Sequence, residues 1–268
     1  VLDGAIDPTV SDEDSSAFQL KAFDQALKNY LKNCLEVTPS VCPFTGSVDA
    51  AMTKITAFFK TLETKTIKTT LGTRKLTLSG GITGLIMTLY SNSYWRYTSS
   101  AFKSAFAGDG TLFLQLADFY NDRNANGTYA SNMLEANMAI NCLDGRSDAS
   151  PAAMNAQNAR LAQLSPFFGR YWRNGALGCA YWPYPVATRP SSYAASGSGP
   201  IIVVGTTGDP ATPYWEAQNL AGKILENGHL ITYNGEGHTA YGRSNSCVVD
   251  AVDAYLLNGT VPAKDPNC

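Results

Sequence analysis

Ile201-Ile202-Val203-Val204-Gly205-Thr206-Thr207-Gly208-Asp209-Pro210-Ala211-Thr212-Pro213 decides the fold. Residues 201–205 are a continuous β-branched run, the composition of a strand buried on both faces in a parallel sheet. Gly208-Asp209-Pro210 ends it in a turn. Thr212-Pro213 then reads as a helix start, with Thr212 as the N-cap and Pro213 at the first helical position of a helix over Tyr214 to Glu226. Further on, His229 to Tyr233 is expected as a second strand, Gly235 to Gly242 as a loop, and Cys247 to Leu257 as a last helix closed by Asn258-Gly259. This βαβα order makes the fold class α/β, and right-handed crossovers place both loops at one edge of a parallel sheet.

Upstream, Ser191 to Gly199 is a Ser/Gly/Ala-rich linker, and the character of the chain changes. From about residue 9 to 185 the patterning is helical. Phe18, Ala22, Phe23, Ala26, Leu27, Tyr30 and Leu31 recur at three and four, and Val48, Met52, Ile55, Phe59 and Leu62 repeat the pattern with Ser47 as a candidate N-cap. Thr64 to Thr73 reads as an exposed connector or edge hairpin. Gly84 to Tyr90, Tyr94 to Ala107, Thr111 to Tyr120 and Ala149 to Leu164 carry helical periodicity, with Gly108-Asp109-Gly110 a break between two of them. Val1-Leu2-Asp3-Gly4-Ala5-Ile6-Asp7-Pro8 reads as a short buried strand opening into a loop. The expected organisation is a core strand in 1–8, a large, mainly helical insertion in 9–190, and a C-terminal core segment in 191–268.

The 268 residues are 44% apolar, enough for a sizeable core. Twenty basic against 22 acidic residues give no electrostatic reason to expect nucleic acid or an anionic membrane surface. Six cysteines and two histidines form no zinc-ligand pattern, so neither metal nor cofactor is expected. An even number of scattered cysteines fits disulfides formed outside the cytosol, although spacing alone chooses no pairing. No apolar run reaches the length of a membrane span. A start on Val1 rather than methionine leads to the expectation of a processed or truncated piece of a longer precursor.

The chemistry gathers at the two loops. In an open parallel sheet reacting groups collect beyond the carboxyl ends of the strands, where Asp209 follows one strand and His238 the next. An acid there holds the imidazole in the tautomer that leaves its other nitrogen to accept a proton. Gly208 and Gly237 let the loops approach closely. Taken singly, an aspartate after a strand is most often a turn former and a histidine most often structural. Their order on consecutive strand ends, however, is the tail of the Ser, Asp, His order of α/β-hydrolases. His229, at a strand start, is read as a surface residue without a role. The nucleophile is missing. No Gly-x-Ser-x-Gly elbow exists, and Ser79, Ser198 and Ser244 read as turn serines.

Several of these motifs are shared with a known family. Val1–Pro8, Leu89-Tyr90-Ser91 with Tyr94-Trp95, Gly108-Asp109-Gly110, Ala139–Asp144, Cys179-Ala180-Tyr181-Trp182-Pro183, Gly208–Pro213, Gly235-Glu236-Gly237-His238-Thr239 and the end from Tyr255 to Cys268 resemble the secreted tripeptidyl aminopeptidases among the α/β-hydrolases. The likeness is to their lid and C-terminal region. It implies Asp209 as the triad acid, His238 as the base, and residues 9–190 as a lid. It also supports pairing Cys34 with Cys42, Cys142 with Cys179, and Cys247 with Cys268. The segment like Val1–Pro8 is, in that family, the strand after the nucleophile elbow, so the serine is expected on an N-terminal portion of the same precursor and the chain is expected to be inactive alone. Acidic side chains of such lids hold the substrate's free α-amine, which makes Glu135 and Asp144 candidates. The expected function is a secreted serine exopeptidase acting on short peptides. An esterase or lipase on the same fold and a non-catalytic peptide-binding or cell-envelope module are the rivals. The open edge of the first strand is expected to be covered by a partner chain, by a second copy or by refolded lid segments.

Overall fold

The computed structural model describes residues 1–268. In chain order its elements are β1 (Leu2–Asp3), α1 (Asp12–Glu36), α2 (Val48–Leu62), β2 (Ile67–Lys68), β3 (Lys75–Leu76), α3 (Leu78–Leu89), α4 (Trp95–Phe106), α5 (Thr111–Tyr120), α6 (Met133–Asp144), α7 (Pro151–Leu164), α8 (Leu177–Ala180), β4 (Ile201–Gly208), α9 (Tyr214–Asn219), β5 (Gly228–Glu236) and α10 (Ser246–Asn258). The chain divides into two compact units, Val1–Ala26 with Asn141–Cys268, and Leu27–Ile140. No helix is long and apolar enough to cross a membrane.

The first unit carries a three-stranded sheet in the order β1-β4-β5, with both pairings parallel. β4 is buried along most of its length because its side chains alternate between two apolar layers. Ile202 and Val204 pack with Ile231 and with Val248 and Val252 of α10, whereas Val203 packs with Ala217, Leu220 and Ala221 on the opposite face. The α/β reading therefore holds. Elsewhere in this unit the buried Asp24 carboxylate accepts the amides of Phe167 and Phe168 at 3.1 and 3.0 Å.

Local details depart from the sequence reading. The helix expected over Tyr214–Glu226 is regular only to Asn219 and widens over Leu220–Ile224, where the Leu225 amide reaches back to the Leu220 carbonyl at 3.0 Å. Thr212 does not cap that helix. Pro213 stands at the N-cap without a side-chain bond, because the Thr212 hydroxyl is turned to Asp209. β5 is longer than expected, and α6 carries no sequence signal that was read as a helix. By contrast, Asn245 caps α10 through the Val248 amide and Gly259 closes it at φ +67°.

In the second unit, Phe58, Phe59, Phe102 and Phe113 form an aromatic core, with Phe102 and Phe113 edge to face at 5.0 Å. Ser47 caps α2 through the Ala50 amide, and β2 and β3 form a small hairpin that begins in the Thr64–Thr73 stretch expected as a connector or edge hairpin but takes its second strand, with the buried Leu76, from beyond it. Ser79 lies in the first turn of α3 rather than in a loop. The cysteines pair 34 with 42, 142 with 179 and 247 with 268, as expected.

Candidate active site

Asp209 follows β4 and His238 follows β5. The strands are parallel neighbours with Gly208 beside Glu236, so their loops leave the sheet side by side. His238 Nδ1 lies 3.0 Å from Asp209 Oδ2 and 3.1 Å from Oδ1. The Asp209 side chain is 1% exposed and that of His238 27%, so the acid is sealed under the ring while the ring reaches solvent. An ionised carboxylate only accepts, which puts the proton of the neutral imidazole on Nδ1 and leaves Nε2 as the basic nitrogen.

Four further donors fix the carboxylate. The amides of Ala211 and Thr212 donate to Oδ1 at 2.8 and 2.9 Å, and the Thr212 hydroxyl and Thr239 amide donate to Oδ2 at 2.9 and 3.3 Å. Thr212 Oγ1 also lies 3.3 Å from His238 Nδ1, so this threonine packs into the corner between acid and ring. Gly4, just beyond β1, adopts φ +69°, and a Cβ there would fall 2.8 Å from His238 Cε1. Only glycine satisfies both the left-handed backbone and the contact with the ring.

A second acidic layer lies behind. Glu216 on α9 is 2% exposed and accepts the Asp7 amide at 3.1 Å. Burial pushes its carboxyl up to about 7; the amide bond opposes this, and the charges of Asp7 and Asp209 add to it. Asp7 is itself buried, accepting from the Thr9 amide and hydroxyl and from Asn219 Nδ2. A cavity of about 550 Å³ runs along the segment after β1, lined by Ile6, Asp7, Glu13, Asp144, Arg146 and Arg189 among others. Asp144 lines this cavity, whereas Glu135 is exposed on α6. His229 is paired loosely with Asp265 at 3.9 Å.

The structure thus brings together the two residues that the strand order singled out. Thr212, Gly4 and Glu216 escaped the sequence reading. A threonine three residues after an aspartate is an Asx-type signal that competed with the N-cap reading, and a glutamate among apolar helix positions marks a buried acid.

A family model described as TAP-like protein matches residues 165–268. The chain is 37% identical over 272 residues to a Mycobacterium tuberculosis protein named Carboxylesterase B, covering all of this chain and 51% of that protein. It is 32% identical over 277 residues to Serine protease Hip1 of the same species, covering all of this chain and 52% of that protein. It is also 31% identical over 182 residues to Tripeptidyl aminopeptidase of Streptomyces lividans, covering 67% of this chain and 33% of that protein. The chain thus spans about half the length of its mycobacterial relatives. With the parallel sheet, the adjoining Asp209 and His238 loops and these matches, the chain belongs to the TAP-like proteins of the α/β-hydrolase superfamily.

Proposed function

We propose that this chain supplies the base and orienting acid of a serine hydrolase that releases short peptides from free N-termini, His238 being the base and Asp209 the acid. The observation that carries the reading is His238 Nδ1 at 3.0 Å from the buried Asp209 Oδ2, on the ends of adjacent parallel strands. In the first half-reaction a serine hydroxyl attacks the scissile carbonyl carbon and its proton passes to His238 Nε2. The same proton then goes to the leaving amine as the C–N bond breaks. Water repeats the sequence on the acyl-enzyme and regenerates the serine. With no Gly-x-Ser-x-Gly in these residues, the reading assigns the nucleophile and its oxyanion donors to an N-terminal portion of the same precursor, docked on the outer edge of β1. The insertion 9–190 serves as the lid, and three disulfides favour an extracytoplasmic site of action.

Ester hydrolysis is the second reading, because the relatives named above include one called a carboxylesterase as well as two named as peptidases. The test compares a chromogenic tripeptide, its N-blocked form and an acyl ester of the same leaving group. The substrates are given to the 268-residue chain and to a precursor that carries the Gly-x-Ser-x-Gly elbow. The expected outcome is turnover of the free tripeptide by the precursor alone, reduced about 10⁴-fold or more by His238→Ala. Preference for the ester moves the assignment to the esterase, and turnover by the isolated chain, lost in His238→Ala, overturns the division of the site.

A further inference from the structure

We infer that Asp3, at the end of β1, is a positioning residue for His238. The inference rests on the acid–base reading of His238 and Asp209 given above. Because the sheet order is β1-β4-β5, the loop leaving β5 must fold back across the end of β4 to bring His238 over Asp209. Something on the β1 side has to hold it there.

Asp3 is the group that does so. Its Oδ1 and Oδ2 accept the Ala240 amide at 3.1 and 3.0 Å, and Oδ2 also accepts the Tyr241 amide at 2.8 Å. The preceding amide, that of Thr239, donates to Asp209 Oδ2 at 3.3 Å. Three successive amides after the histidine therefore end on two carboxylates from two different strands. Charge-assisted bonds of this kind are the stronger class of hydrogen bond.

The backbone of the loop needs such a hold. Gly237 sits at φ +107° and Thr239 at φ +66°, so the histidine is flanked by two left-handed residues, one of them β-branched. A β-branched residue leaves that conformation unless its surroundings impose it. With the Asp3 tether loosened, Thr239 relaxes toward negative φ and the imidazole swings away from Asp209. Gly4, the next residue after Asp3, lies against His238 Cε1, so one dipeptide of β1 sets both the loop path and the ring position.

The chain has only two histidines, which allows a direct reading on the 268-residue protein with ¹⁵N-histidine labelling. In the parent chain His238 should show a hydrogen-bonded, low-field Nδ1–H resonance and a single Nδ1–H tautomer. Asp3→Ala removes both oxygens that accept the Ala240 and Tyr241 amides. The expected result is loss of that resonance and a mixture of His238 tautomers, while His229 signals and the circular dichroism stay as in the parent. An unchanged His238 spectrum in folded Asp3→Ala overturns the inference. If Asp3→Ala does not fold, the same measurement is made on Asp3→Ser. Asp209→Asn serves as the reference: identical parent and Asp209→Asn spectra overturn the acid–base reading itself, and the inference with it.

Discussion

Glu216 takes no part in the proposed proton transfers, yet it is an acid buried beneath them, with Oε2 on the Asp7 amide. Burial, with help from the charges of Asp7 and Asp209, pushes its carboxyl from the ordinary 4.5 up to about 7. The folded state therefore holds this proton more tightly than the unfolded chain does. The associated stability is fully present below about 4.5 and is lost as pH rises through about 7. After allowance for solvent screening the loss is on the order of 1–2 kcal/mol. Glu216→Gln keeps an oxygen for the Asp7 amide and carries no charge. Thermal unfolding at pH 5 and pH 8 should show a smaller fall for Glu216→Gln than for the parent, and a higher midpoint for the variant at pH 8. Equal falls in both would remove Glu216 as the source.

β4 shows how tightly the elements around the site are fitted. A Cβ on Gly205 would stand 2.8 Å from Ala217 Cβ and 2.9 Å from Tyr214 Cδ2, so α9 lies directly on the strand. Gly205→Ala should cost about 1–3 kcal/mol by overpacking, read as a lower denaturant midpoint with unchanged slope; an unchanged midpoint would show that α9 yields freely. β4 was legible because an unbroken β-branched run has one good environment, between two apolar layers. The widening after Asn219 was not legible, since helical periodicity cannot distinguish a bond to the fourth residue from one to the fifth. α6 was missed because Met133, Leu134, Met138 and Ile140 are exposed on it, leaving no buried stripe to create a pattern. Asp209 and His238 were legible from their order on strand ends. Thr212 was misassigned, because its cap signal and its bond to Asp209 call for the same hydroxyl. Asp3 was beyond reach, since its partner Ala240 lies 237 residues away in sequence.

For the whole molecule, the three-stranded sheet has two edges and the chain treats them differently. Along β5, the Thr232 amide donates to the Pro266 carbonyl at 2.9 Å and the Cys268 amide to the Thr232 carbonyl at 2.8 Å. Asn234 Nδ2 adds a bond to Asn267 Oδ1 at 2.5 Å. The last residues thus lie along β5 as a short parallel strip, fastened by Cys247–Cys268 to α10. The strip pairs the backbone of Thr232, at the middle of β5, and so interrupts the row of edge amides open to another chain. β1, at the other side, pairs with β4 alone, and Val1 and Leu2 are each 42% exposed. This asymmetry supports the proposed docking of the remaining sheet on β1. It also assigns the Cys247–Cys268 bridge, closing a separation of 21 residues, a local task at β5. Replacing both cysteines by serine should cost about 3 kcal/mol through the freed unfolded chain. Its signature should be local as well as global: the Thr232 amide, now protected by the Pro266 carbonyl, should exchange with solvent orders of magnitude faster, while amides of β4 retain protection set by global unfolding. If Thr232 keeps its protection in the double variant, the strip holds by its backbone bonds alone, and the bridge acts only on the unfolded chain.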